Sequence, residues 1–233
     1  MNPNRSGSDG RTFKIIWKLK IPPRAAVFSW RLIKDRLPTR DNLLSRNVPI
    51  QEAVCPLCGY VQEEAGHLFF NCKMTIGLWW ESMRWIQVVG PLPVSPASHF
   101  VQFCDGFGAA VNHSRWCGWW IALTSTIWQH RNLLIFQGKF FDSSKVMEDA
   151  LFLAWSWLKA REKDFNTSFN HWSTNISDSF GLNKLKVEKP PFVTVEAKEL
   201  PSEMVEAKEL PSETFEVMAE DPPRQSCLCS HWN

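Results

Sequence analysis

The run Cys55-Pro56-Leu57-Cys58-Gly59-Tyr60-Val61-Gln62-Glu63-Glu64-Ala65-Gly66-His67-Leu68-Phe69-Phe70-Asn71-Cys72 decides how the rest of the chain is read. Its pattern is C-x2-C-x8-H-x4-C. Two thiolates separated by two residues can hold one ion from a tight knuckle, and Gly59 lets the backbone turn beneath the sulfurs so that amides face them. His67 and Cys72 complete a set of four soft or borderline ligands, which suits tetrahedral Zn2+. Protein donors fill all four positions, so the expected ion is structural rather than catalytic. Cys104 and Cys117 stand alone in sequence and read as small buried apolar side chains. Cys227-x-Cys229-x-His231 is a much weaker metal pattern.

Outward from this run the chain reads as mainly α. Arg24–Leu37 lacks Pro and Gly and places Val27, Trp30 and Ile33/Lys34 near one face, with Pro38 as its stop. Thr39 is an N-cap candidate for a short helix to about Arg46, with Asp41 in its first turn. Cys72–Ile86 gives a further helix through Ile76, Trp79/Trp80 and Met83. Trp116, Trp120, Leu123, Ile127 and Leu134 form a helical stripe that Gln137-Gly138 ends. Asp142, Ser143 and Ser144 are cap candidates for a following helix with Val146, Ala150, Leu153 and Trp157 on its stripe. The expected organisation is a disordered 1–10, a basic zinc-binding domain with a short knuckle hairpin at 11–86 and a Pro/Gly/Ser-rich connection at 87–114. A Trp-rich helical pair at 115–172 and a disordered acidic tail at 183–233 complete it. Trp17 and Trp30 are expected in the core, with stacking on unpaired bases as their alternative role.

Charge and composition narrow the function classes. The chain has 233 residues and 44% hydrophobic content, with 13 Trp and 16 Phe against one Tyr. That excludes a collagen, a coiled coil and a disulfide mini-protein. The formal net charge of +2 is a cancellation: residues 1–182 carry 20 Lys+Arg against 14 Asp+Glu, whereas 183–233 carry 6 against 10. The acidic part contains a tandem repeat, Val195–Met204 then Val205–Thr214, each copy with a Pro, which is too small and too few for a solenoid. No apolar leader opens the sequence, and the uncharged run at 116–129 is shorter than the roughly 20 residues a bilayer needs, so no membrane association is expected. Seven cysteines without a leader point to reduced thiols and an intracellular setting, nucleus or cytoplasm left open.

The order Trp17-Lys-Leu-Lys-Ile-Pro-Pro23, Phe28-Ser-Trp30-Arg31, Arg36-Leu-Pro-Thr39, Cys55-Pro-x-Cys58 and His67-Leu-Phe-Phe-x-Cys72 resembles the zinc-binding domain of reverse transcriptases in plant LINE-type (non-LTR) retrotransposons. Ile127-Trp128-Gln-His130-Arg131-Asn132 and Ala154-Trp155-x-Trp157-Leu158 resemble the region that follows it in such elements. The resemblance implies a zinc-stabilised helical module that contacts nucleic acid or an adjacent polymerase. It supplies no polymerase, since neither Tyr-x-Asp-Asp nor Phe-x-Asp-Asp occurs, so a fragment or domesticated remnant is expected.

Residues 11–46 hold ten basic side chains against Asp35 and Asp41. Charge of that density attracts phosphate without sequence preference. Lys14, Lys18, Lys20, Arg24, Arg31, Lys34, Arg36 and Arg40 are the candidate contacts with RNA or DNA, and Tyr60 on the knuckle is a candidate stacking platform. The competing reading is a protein-interaction module that packs on a reverse transcriptase or self-associates. Catalysis is not expected: no H-E-x-x-H, G-x-S-x-G or phosphate-cradling Gly-rich loop occurs. Nor do His99, His113, His130 and His171 show a recognisable nucleophile–acid spacing.

Overall fold

A computed structural model describes residues 6–105 and 112–180, all of which fall within one compact unit. Among the described residues the regular structure is helical: α1 (Ser6–Lys18), α2 (Pro23–Ile33), α3 (Arg40–Leu44), α4 (Ile76–Trp85), α5 (Pro96–Asp105), α6 (His113–Gln137), α7 (Ser143–Arg161), α8 (Phe169–Thr174) and α9 (Ile176–Ser179). None of these helices is long and apolar enough to cross a membrane. The expected disordered tail lies outside the described residues. At the other end α1 begins at Ser6, inside the stretch expected to lack structure.

Local chemistry sets several boundaries. Pro23 opens α2, where its missing N–H costs nothing. The helix stops at Ile33, short of the expected Leu37, because Asp35 turns left-handed at φ 50°. The Asn42 side chain pins that turn by donating to the backbone carbonyls of Asp35 and Leu37, both at 3.1 Å. Thr39 caps α3 by accepting from the Asn42 amide. Gly138, left-handed at φ 65°, ends α6, and Asp142 accepts from the Ser144 and Lys145 amides to start α7. The pairs His130–Asp149 and Arg115–Glu162 join α6 to α7 in antiparallel register.

The core is aromatic and centres on α6. Trp119 to Ile127 are buried without a break, so this stretch is covered on every side rather than along one stripe. Buried indole N–H groups need acceptors, and the fold supplies them to four of the core tryptophans. Trp79 donates to the Phe69 carbonyl (2.7 Å), Trp116 to the Phe103 carbonyl (2.8 Å), Trp119 to Ser82 Oγ (3.0 Å) and Trp120 to His99 Nδ1 (2.9 Å). Two of these acceptors belong to α5, a helix within the segment expected to be a connection. His99, Phe100, Phe103 and Cys104 all point into the core there, and the Phe103 ring stacks on Trp116 at 4.5 Å. The 11–86 and 115–172 blocks share one core.

Two further expectations are corrected. Trp17 is 56% exposed and Trp30 is half-buried, so neither is a core residue. The inward face of α2 is Ala25, Ala26, Ser29, Leu32 and Ile33, while Val27 faces water. Small residues there let the helix approach α6 closely, which a Trp-led face would prevent.

His99 gives the fold a pH dependence. It is fully buried, stacked 4.0 Å from the Phe70 ring, and burial pushes its pKa down to about 3. An unfolded chain takes up a proton near pH 6.5 that the folded protein refuses until about pH 3. Stability therefore falls as pH drops through that window, by up to about 1.4 kcal/mol per pH unit. His99→Gln keeps an acceptor for Trp120 and should flatten the slope of urea midpoint against pH between 6 and 4. A slope unchanged by the substitution would show that His99 is not the group responsible.

Candidate metal centre

A single antiparallel bridge, Val54 to Gln62, carries the knuckle. The Cys55 amide donates to the Val61 carbonyl at 2.6 Å and the Glu63 amide to the Ala53 carbonyl at 2.9 Å. At the tip the Gly59 amide closes back on the Cys55 carbonyl at 2.8 Å, with Gly59 at φ 73°, where a side chain would be strained. The Cys58 and Leu57 amides donate to the Cys55 sulfur, and the Met74 amide to that of Cys72.

The other two donors come from a widened turn. His67–Asn71 is π-helical, closed by the Cys72 amide on the His67 carbonyl at 2.7 Å. With 3.6 residues per turn, residue i+5 would project well away from residue i. The wider turn swings Cys72 back beneath His67, so the H-x4-C spacing is read by local geometry. Leu68, Phe69 and Phe70 inside the turn are core residues. Its loosened carbonyls find donors: Leu68 accepts from Thr75 Oγ1 at 3.0 Å and Phe69 from Trp79.

Ligand atoms of Cys55, Cys58, His67 and Cys72 lie within 4.8 Å of one another, and Cys58 Sγ is 3.3 Å from His67 Nε2. A tetrahedral zinc site has ligand–ligand edges of roughly 3.4–3.8 Å, so only a small contraction separates the four donors from coordination. The buried pair Cys55 and Cys72 share a hydrogen bond. Without an ion, the Cys72 contact and burial push the Cys55 thiol up, while the hydrogen bond from Cys55 holds Cys72 below the usual thiol range. A divalent cation displaces thiol protons as it binds. Three thiols and one imidazole make a four-donor set that fits Zn2+.

Behind the knuckle sits a carboxylate that the sequence reading did not single out. Glu63 is fully buried and meets Arg131 of α6 in a bidentate pair, with Nε to Oε1 at 2.7 Å and Nη2 to Oε2 at 2.5 Å. Its Oε2 also accepts from the Arg40 amide at 2.9 Å. Arg131 lies over the Trp128 ring at 4.6 Å. Nothing local marks this pair, because its members are 68 positions apart.

The candidate nucleic-acid contacts divide. Lys14, Lys18, Lys20, Arg24, Arg31 and Arg36 are exposed. Lys34 lies 5.0 Å over the Phe13 ring and Arg36 5.6 Å over Trp30. Arg40 is committed to the fold: it donates to the Val54 carbonyl at 2.7 Å and pairs with Glu52 at 3.5 Å. Tyr60 is 77% exposed beside the knuckle, with Lys73 Nζ 4.1 Å from its ring centre.

No curated protein and no solved structure matches the chain. Residues 3–79, by contrast, match a family model described as zinc-binding in reverse transcriptase. That match ends within α4 and takes in all four donors, so the N-terminal third of this chain is similar to the zinc-binding domain of reverse transcriptases.

Proposed function

We propose that this chain is a nucleic-acid-contacting zinc module derived from the reverse transcriptase of a plant LINE-type retrotransposon, itself without catalytic activity. The observation that carries the reading is Trp17. On α1 it stands at helical neighbour spacing from Lys14 and next to Lys18, all three exposed. An indole held open between two ammonium groups offers a base a stacking face and the adjoining phosphates a counter-charge. Lys20, Arg24 and Arg31 extend the basic surface, and the knuckle adds Tyr60 with Lys73. Bound zinc would hold the knuckle and its neighbouring helices in place. The reading puts the chain inside the cell, where thiolate ligands stay reduced.

Fluorescence anisotropy with single-stranded RNA and DNA across a salt series tests this. Micromolar binding at low salt is expected, weakening steeply as salt rises. Trp17→Ala should weaken it by about 5- to 150-fold, the value of one stacked base. Lys14→Gln and Lys18→Gln should each reduce the salt slope by about 0.7. Absence of binding at low salt, or binding indifferent to salt, would overturn the proposal. The second reading, packing on a polymerase or on another copy, draws on Phe136 and Phe140. They are 76% and 94% exposed at the α6–α7 turn. Concentration-dependent sedimentation abolished by Phe136→Ser and Phe140→Ser, without RNA binding, would favour it.

A further inference from the structure

The outer face of α4 carries an open indole that the fold does not use. Trp79 is buried and donates to the Phe69 carbonyl. Trp80, about 100° further round the helix, is 60% exposed. Among the described tryptophans only Trp17 is comparably open. One turn before Trp80 stands Gly77, where a Cβ would meet nothing within 4 Å, so no side chain covers the ring from that side. One turn after it is Arg84, also exposed. Gly77 borders a cleft of about 260 Å3 that Lys73, Ser143 and Ser144 also line. Lys73 Nζ in turn lies 4.1 Å from the centre of the Tyr60 ring, which is 77% exposed. Tyr60, Lys73, Gly77, Trp80 and Arg84 thus run from the knuckle along α4, open aromatic rings alternating with cations.

We infer that this face is a second contact for single-stranded nucleic acid, with one unpaired base on Trp80 and the phosphates on either side of it on Lys73 and Arg84. It rests on the nucleic-acid reading above and adds a further stretch of the strand's path. Stacking needs an unpaired base, since a duplex keeps its base faces covered, and it tolerates any sequence because every base has a π-face. Lys73 lies over Tyr60 in the free protein; turned toward a phosphate, it would bare that ring for a second base. Glu81 is the one carboxylate among the residues lining the cleft, so the phosphate sits toward Lys73 and the Ser144 hydroxyl. A protein partner fits less well. Trp80 is the only large apolar side chain of α4 that is exposed, so the face lacks the contiguous apolar patch such a partner would cover.

The test uses full-length, zinc-loaded protein and a single-stranded RNA substituted with bromouridine. Ultraviolet irradiation and peptide mapping should place cross-links on Trp80 and Tyr60 as well as on Trp17. Trp80→Ala should weaken binding by about 5- to 150-fold, and Arg84→Gln should lower the salt slope by about 0.7. Gly77→Leu separates binding from folding. It should stabilise α4, since glycine is a poor helix former, yet lay a side chain beside the Trp80 ring. Binding should then weaken by about fivefold or more with unchanged circular dichroism. Binding that Trp17→Ala weakens, with no cross-link on α4 and no response to Trp80→Ala or Gly77→Leu, would overturn the inference and leave the α1 reading standing. No binding at low salt would remove both. Self-association that Trp80→Ala abolishes, without an RNA cross-link on α4, would also overturn it by making the face a protein contact.

Discussion

Glu63→Gln is expected to cost the folded protein about 3–5 kcal/mol, because it strands a charged guanidinium that has almost no access to water. Arg131 is 4% exposed and directs two donors at that one carboxylate. Arg131→Met should be as damaging for the mirror reason, a buried carboxylate left with only the Arg40 amide. The combination Glu63→Leu/Arg131→Met removes both charges and keeps much of the volume. It should therefore recover a large part of either loss, as buried ion pairs replaced by apolar residues do. Urea unfolding of Glu63→Leu, Arg131→Met and the double Glu63→Leu/Arg131→Met closes the cycle and measures the coupling. Additive losses would mean that the pair does not act as a unit, and single losses under about 0.5 kcal/mol would place it among the inconsequential surface pairs.

The second large effect concerns the ion. Cys55→Ser, Cys58→Ser or exhaustive chelation should abolish stoichiometric zinc and, with it, the cooperative fold of the described residues. Structural zinc contributes an apparent 10–16 kcal/mol in small zinc-binding peptides. That matches or exceeds the whole stability of an ordinary domain, about 5–15 kcal/mol. Strand pairing adds little to the knuckle, since it amounts to one bridge. Loss cannot stay local, because the turn that carries His67 also delivers Phe69 and Phe70 to the core. Metal analysis alongside circular dichroism and thermal melting decides the matter. A metal-free protein with native ellipticity and an unchanged melting temperature would show that the four side chains are not a structural centre.

What could be read from the sequence was whatever is encoded locally. Thr39, Gly138 and Asp142 mark helix ends through their own hydrogen bonds or their own tolerance of positive φ, and the four donors announce themselves by spacing. Features that depend on distant neighbours were not legible. The α5 helix hides in a Pro- and Ser-rich stretch because its stability comes from burying Phe100 and Phe103 against α6, not from propensity. Trp17 was misplaced because an indole is equally at home in a core or on an open basic surface. Only the packing of Ile16 beside it shows which side of α1 faces inward. Arg131 lay within a recognised stretch, but nothing along the chain points it at Glu63.

The encased α6 bears on the order in which the chain is made. Synthesis proceeds from the N-terminus, so the knuckle, the widened turn and α4 leave the ribosome well before the helix that covers them. In that interval Phe69, Phe70 and Trp79 have no lid, Glu63 has no guanidinium, and Ser82 waits for an indole 37 positions downstream. An early-bound ion is the one long-range restraint already within reach of those residues. It would hold the first third of the nascent chain in a shape that α6 can close over, sparing it a period as an exposed aromatic surface.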